Sequence, residues 1–168
     1  MLAAALVAGC ATSPQYMAMT INAKPGQYDR YMADIHLPPD DSAETLVLVK
    51  FKKLQPSDAG WAPVIGLCVQ GEDPNRDLAC LYLFVDKHGS VVPERFSRLG
   101  GESSKPATMR FPQRYDVRDE LLVRIDAADA VSSFSVNGLQ LFETPAVPHP
   151  IRYVFFCSSA VCSFDIQY

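Results

Sequence analysis

The chain has 168 residues, of which 48% are hydrophobic and 20% charged. That balance excludes a disordered polypeptide and a bundle of membrane-spanning segments, and the length suffices to bury a sizeable core. The net charge of −4 argues against nucleic acid as a partner, because phosphate binding calls for a basic patch. Arg110, Arg114, Arg118 and Arg124 come nearest to one, but Asp116, Asp119, Glu120 and Asp126 interleave with them, which describes a solvated mixed-charge surface.

Residues 1–9, MLAAALVAG, are small and apolar and run straight into Cys10. Val7-Ala8-Gly9-Cys10 resembles the bacterial lipobox. The resemblance implies cleavage before Cys10, diacylglycerol on its thiol, and a mature chain held by lipid in the bacterial cell envelope, at the outer membrane or periplasm. Nine residues without a positive n-region make a truncated signal segment, so a start codon upstream or a shortened chain is expected. No other apolar run reaches the ~20 residues that span a bilayer. Residues 10–16 then read as a lipidated tether, and 17–168 as a single β-sandwich domain.

From residue 17 onward, short runs rich in Val, Ile, Leu, Phe and Tyr alternate with clusters of Pro, Gly, Asp, Asn and Ser, the pattern of an antiparallel sandwich or barrel. Strands are predicted at 17–22, 30–37, 44–54, 62–70, 79–87, 90–96, 106–111, 119–127, 131–136, 139–143, 150–157 and 162–168. Thirteen prolines disfavour long helices, leaving helical turns only near 56–60 and 112–118.

Beyond Cys10 there are four cysteines, an even number that in an exported chain points to disulfides with three pairings open. Spacing and strand register favour Cys68–Cys80 and Cys157–Cys162. With no histidine near them, zinc is not expected. Setting Cys68 opposite Cys80 around the loop 71–77 places Leu67 opposite Leu81, Ile65 opposite Leu83 and Val64 opposite Phe84. Both faces are then apolar, as in a central strand pair covered on both sides.

Two further hairpins follow from side-chain alternation. Asn137-Gly138 is the preferred pair for a two-residue type I′ turn, setting Val136 opposite Leu139, Ser135 opposite Gln140 and Phe134 opposite Leu141, with one face wholly apolar. At the C-terminus, placing Cys157 opposite Cys162 across a loop 158–161 sets Phe155 against Phe164, Tyr153 against Ile166 and Ile151 against Tyr168. All eight side chains then point to one side, and a one-residue slip would scramble both faces.

Residues 119–143, DELLVRIDAADAVSSFSVNGLQLFE, together with the closing strand 162–168, CSFDIQY, resemble the concanavalin A-like (laminin-G and glucanase) jelly roll, over about 50 residues. The resemblance implies that fold, an all-β antiparallel β-sandwich, and function does not travel with it. Members of that superfamily include lectins, glycoside hydrolases and adhesion modules. The hydrolases carry two glutamates at E-x-D-x-E spacing, and no such triplet occurs here. Asp119 and Glu120 adjoin but point to opposite faces of a strand.

The remaining chemistry-bearing residues read as surface. His36, His88 and His149 show neither triad nor ligand spacing, and no G-x-S-x-G elbow marks a nucleophile. Glu72, Asp73, Asn75 and Asp77 could ligate calcium, but Arg76 and Pro74 within the loop argue for a plain turn. Gly100-Gly101 opens a loop and not a phosphate cradle, since no helix follows. Neither metal nor cofactor is expected. Aromatics point to a ligand more directly, because sugar rings stack on Trp and Tyr. Trp61, at the start of a strand, and Tyr28, Tyr31 and Tyr115, near loops, are the candidate ligand-binding residues. Two functions follow: a non-catalytic binding module for a glycan or cell-wall polymer, and an assembly lipoprotein that docks another envelope protein. A hydrolase ranks third, for want of convergent carboxylates.

Overall fold

The computed structural model describes residues 14–33, 43–55, 61–73, 75–100, 107–128, 131–147 and 151–168. Cys10 and the helical turn expected near 56–60 lie outside them. Among the described residues there are thirteen strands and no helix. They are β1 (Tyr16–Asn22), β2 (Tyr28–Ala33), β3 (Ala43–Leu54), β4 (Val64–Gln70), β5 (Leu78–Val85), β6 (Ser90–Arg98), β7 (Ala107–Arg110), β8 (Tyr115–Asp116), β9 (Leu121–Ala127), β10 (Val131–Val136), β11 (Leu139–Pro145), β12 (Arg152–Ser158) and β13 (Ala160–Gln167). The helical turn expected over 112–118 is instead β8 followed by a turn, with Asp116 Oδ1 accepting the Arg118 N–H at 2.9 Å.

Two antiparallel sheets face each other. One has six strands in the order β1-β13-β3-β9-β10-β11, and the other has seven in the order β2-β12-β4-β5-β6-β7, with β8 also on β6. Period-two alternation decides which side chains enter the space between them. In β9, Leu121, Val123, Ile125 and Ala127 are buried while Leu122 and Arg124 face solvent. The core joins the inner faces of both sheets, and Phe134, Tyr153, Phe155 and Phe164 are its largest fully buried side chains.

The C-terminal segment departs from the expected hairpin. β12 pairs with β2 and β4, whereas β13 pairs with β1 and β3, so the chain crosses from one sheet to the other between them. The crossing occurs at Ser159, whose φ of 48° lies in the left-handed region. The turn between β1 and β2 holds it there. The Ser159 N–H donates to the Gln27 carbonyl (3.0 Å), and the Gly26 and Gln55 N–H groups donate to the Ser159 hydroxyl and carbonyl. Phe155 and Phe164 do meet, with ring centroids 5.9 Å apart, but across the core from opposite sheets. Inward alternation is the same in such an arch as in a hairpin, which is why periodicity alone could not separate them. The Cys157–Cys162 disulfide closes the arch and ties the two sheets together. Its short loop contributes about 2 kcal/mol in the chain-entropy model.

The Asn137-Gly138 turn has both residues at positive φ, 51° and 80°. Val136 faces Leu139 and Ser135 faces Gln140, but a bulge follows and Phe134 pairs with Phe142 in place of Leu141. The extra residue turns the Phe142 ring inward, where it stacks on Phe134 at 4.7 Å and on Phe111 at 5.8 Å. Leu139 is left 48% exposed, so the hairpin face is not wholly apolar. Burying a phenyl ring against two others outweighs keeping the regular ladder.

Candidate functional site

The seven-stranded sheet differs from an ordinary half-wet sheet because β4 is buried at every position, on both faces. Its inner residues Ile65, Leu67 and Val69 belong to the core between the sheets. On its outer side Cys68 belongs to a second apolar cluster, built on Cys68, Cys80 and Val154 with Leu78, Tyr82, Phe96 and Phe156 packed around them. The β4–β5 register sets Leu67 opposite Leu81 and Ile65 opposite Leu83 on the inner side, and Val64 opposite Phe84 and Cys68 opposite Cys80 on the outer side. The Cys68–Cys80 disulfide therefore lies in the outer layer.

One row across this face runs Arg30 (β2), Phe156 (β12), Gly66 (β4), Tyr82 (β5), Glu94 (β6) and Arg110 (β7), each residue directly opposite the next. Gly66 is the gap in the row. A Cβ built there falls 1.9 Å from Phe156 Cε1, so the ring occupies the space a side chain would need. Phe156 thereby reaches Tyr82, edge-on with centroids 5.3 Å apart. Tyr82 in turn stacks on Phe96 at 5.6 Å and meets Phe84 at 5.9 Å. At the far end of the row Arg110 Nε pairs with Glu94 Oε2 at 2.6 Å, and its guanidinium lies over the Phe84 ring at 5.6 Å. Burial pushes the Tyr82 hydroxyl up to about 12, aided by the Glu94 charge and opposed by Arg98. Its phenol thus stays protonated at ordinary pH and serves as a neutral hydrogen-bonding group and a flat apolar ring.

Tyr82, Phe84 and Phe156 floor an open groove of about 470 Å³. Trp61 and Tyr28, 49% and 60% exposed, stand at its edge, with Arg30, Gln70 and Ser158 as polar lining. Of the four aromatics picked from sequence, the structure brings these two together. Tyr31 pairs with Phe155 and so points to the opposite side of β2, away from the groove. Tyr115 pairs with Val91 and packs against the core, and burial raises its hydroxyl pKa. Tyr82, Phe84, Phe156 and Arg30 were not singled out from sequence. Their signal was the doubly apolar pattern of β4, β5 and β12, which identifies a covered strand without saying what covers it.

In the loop 71–77, the Asp73 carboxylate accepts the Asn75 N–H at 2.9 Å, and its carbonyl accepts those of Arg76 and Asp77, so the loop is built as a turn. His88 sits in a turn organised by Asp86, whose Oδ1 accepts the His88 and Ser90 N–H groups. Glu120 pairs with Lys50 at 3.2 Å.

No protein-family model matches the sequence, and no curated protein is significantly similar to it. Solved structures are similar over most of the chain. The Crh5 transglycosylase in complex with NAG superposes with a TM-score of 0.61 at 11% identity, covering 89% of this chain and 71% of that one. A GH16 protein from the Bacteroides ovatus mixed-linkage glucan locus, in complex with a G4G4G3G product, gives 0.54 at 8% identity, covering 95% and 83%. The carbohydrate-binding module CBM66 from Bacillus subtilis gives 0.51 at 8% identity, covering 90% and 88%. The fold is a concanavalin A-like jelly roll. Similarity at such identities speaks for the fold alone. In this jelly roll the groove lies on the outer face of the seven-stranded sheet. Among the described residues no carboxylate lines the groove; Glu94, opposite Tyr82 on the neighbouring strand, is engaged by Arg110.

Proposed function

We propose that the chain is a non-catalytic carbohydrate-binding module that seats a glycan in the groove. The observation that carries this reading is the convergence of Trp61 and Tyr28 at the edge of a floor made by Tyr82, Phe84 and Phe156. The apolar faces of sugar rings rest on such aromatic surfaces, while Gln70, Ser158 and Arg30 offer hydrogen bonds to hydroxyls. The glycan-bound relatives in fold lend support. Glycoside hydrolysis by paired carboxyls requires a second acid about 5 Å from the first in retaining enzymes, or ~6.5–9.5 Å in inverting ones. Glu94, ion-paired and with no second strand carboxylate beside it among the described residues, suits binding better than bond cleavage.

The test is a glycan array with a peptidoglycan pull-down, followed by titration calorimetry on the best ligand. Trp61→Ala is expected to weaken binding by about tenfold or more while leaving the melting temperature unchanged, since an exposed ring at a binding centre contributes at that scale. A blank array together with a blank pull-down rejects the reading, and so does a shortened glycan recovered after incubation.

The module is further proposed to ride on a lipid at Cys10 in the bacterial envelope. Val7-Ala8-Gly9-Cys10 supports this, as do two disulfides of the kind that persist in oxidising compartments. Intact-mass measurement of the protein extracted from membranes should find diacylglycerol on Cys10, and Cys10→Ser should release the protein into the soluble fraction. A membrane-extracted chain that begins upstream of Cys10 and carries no lipid contradicts it.

A further inference from the structure

We infer that the glycan recognised in the groove is anionic, its acidic groups engaged by Arg30; this rests on the carbohydrate-binding reading above. The net charge of the chain is −4, yet the outer face of the seven-stranded sheet reverses that sign. Register places Arg30, Arg98, Arg110 and Arg152 on it, against Glu94 and Asp116. Arg110 is committed to Glu94, and Arg98 reaches the Asn75 carbonyl at 3.5 Å. Arg30 stands apart. It lines the groove itself, and no ion pair or hydrogen bond engages its guanidinium among the described residues. Across the ladder it faces the Phe156 ring, and Phe84, Val154 and the Cys68–Cys80 pair line the same groove. Arg30 is exposed at the side of the groove, so its guanidinium is free to meet an anion, with an attraction that solvent and salt keep modest.

Chemistry narrows the ligand further. A guanidinium presents a planar fork of N–H donors that matches a carboxylate or a sulfate, and it selects such groups over hydroxyls. Tyr28 and Arg30 lie two residues apart on the same side of β2, a step of about 7 Å. That step lets one sugar ring rest on Tyr28 or Trp61 while an acidic substituent reaches Arg30. Carboxylated sugars and sulfate esters share this chemistry, and the experiment separates them.

Binding is measured by calorimetry for alginate and polygalacturonate against their carboxyl-reduced counterparts, and for dextran sulfate against dextran, in low and high sodium chloride. The acidic member of at least one pair should bind about fivefold or more tighter than its neutral partner, with the margin shrinking in high salt. Arg30→Gln should erase that margin, bringing the affinity for the acidic polymer down to that for its neutral partner. Arg30→Lys should keep part of it, and Arg124→Gln, on the opposite sheet, should change nothing. A preference for alginate or polygalacturonate identifies carboxylate as the group read, and one for dextran sulfate identifies sulfate. Equal affinity for acidic and neutral partners overturns the inference while the carbohydrate reading stands. The same holds for equal losses in the Arg30 and Arg124 variants, which mark non-specific charge attraction. Failure of every polymer to bind the wild-type protein, together with a blank array, overturns both.

Discussion

Phe155→Ala is expected to destabilise the protein by about 3–5 kcal/mol, and Phe164→Ala by a similar amount, the range found for truncating a buried phenyl ring. Both rings have zero solvent exposure, and they approach from opposite sheets to 5.9 Å between centroids. Each removal opens a cavity at the centre of the sandwich, where the strands on either side are fixed by their own ladders and collapse poorly. Because the two rings touch, the double variant should lose less than the sum of the single losses, by about 0.5–1.5 kcal/mol. Urea unfolding with the disulfides intact measures all three. A loss below about 1.5 kcal/mol for either single variant would place that ring outside a packed core. Strict additivity would deny the contact between sheets that the arch creates.

Gly66→Ala should leave the protein folded but weaken ligand binding. The new methyl group would sit 1.9, 2.1 and 2.5 Å from Phe156 Cε1, Cζ and Cδ1, far inside van der Waals contact. The Phe156 ring is only partly buried and faces the groove, so it can swing outward without opening the core. The expected loss of stability is accordingly about 1–3 kcal/mol, the range for modest overpacking. Swinging the ring breaks its contact with Tyr82 and fills the groove, so affinity for the best glycan should fall by about tenfold or more. Calorimetry on a variant shown by thermal melting to be folded reads this out. Unchanged affinity would mean that the Phe156–Gly66–Tyr82 row takes no part in the site.

Much of the sandwich was legible before any coordinates. Alternation identifies which residues point inward. Tyr153, Phe155 and Cys157 in β12, and Cys162, Phe164 and Ile166 in β13, are all buried as the pattern requires. Asn137-Gly138 identifies its own turn, because the two positive φ values it needs are cheap only for such residues. The β4–β5 register follows from two cysteines and a loop. These are local properties of the chain, set by the geometry of a strand and the sterics of single residues.

The candidate site was less legible. An aromatic residue near a loop can be picked out, but whether it reaches a groove depends on strand parity and on what lies next door. Tyr28 and Tyr31 are three residues apart on one strand, and the β12 ladder alone sends the first to the groove and the second away from it. Tyr82, Phe84 and Phe156 read as buried residues of doubly covered strands. That they form a floor open to ligand is a property of the assembled face.

Residue order therefore determined the elements, their inward faces and the turn at 137–138, since these depend on backbone sterics and a two-residue period. The tertiary structure decided which strands became neighbours. An arch and a hairpin share the same alternation, and only the ladders to β1, β2, β3 and β4 place β12 and β13 in different sheets. It also decided the bulge at Leu141, because the pull of Phe134 and Phe111 on the Phe142 ring comes from other strands and loops. Long-range packing of side chains distant in sequence selects among pairings that are locally equivalent, and the groove exists only once that selection is made.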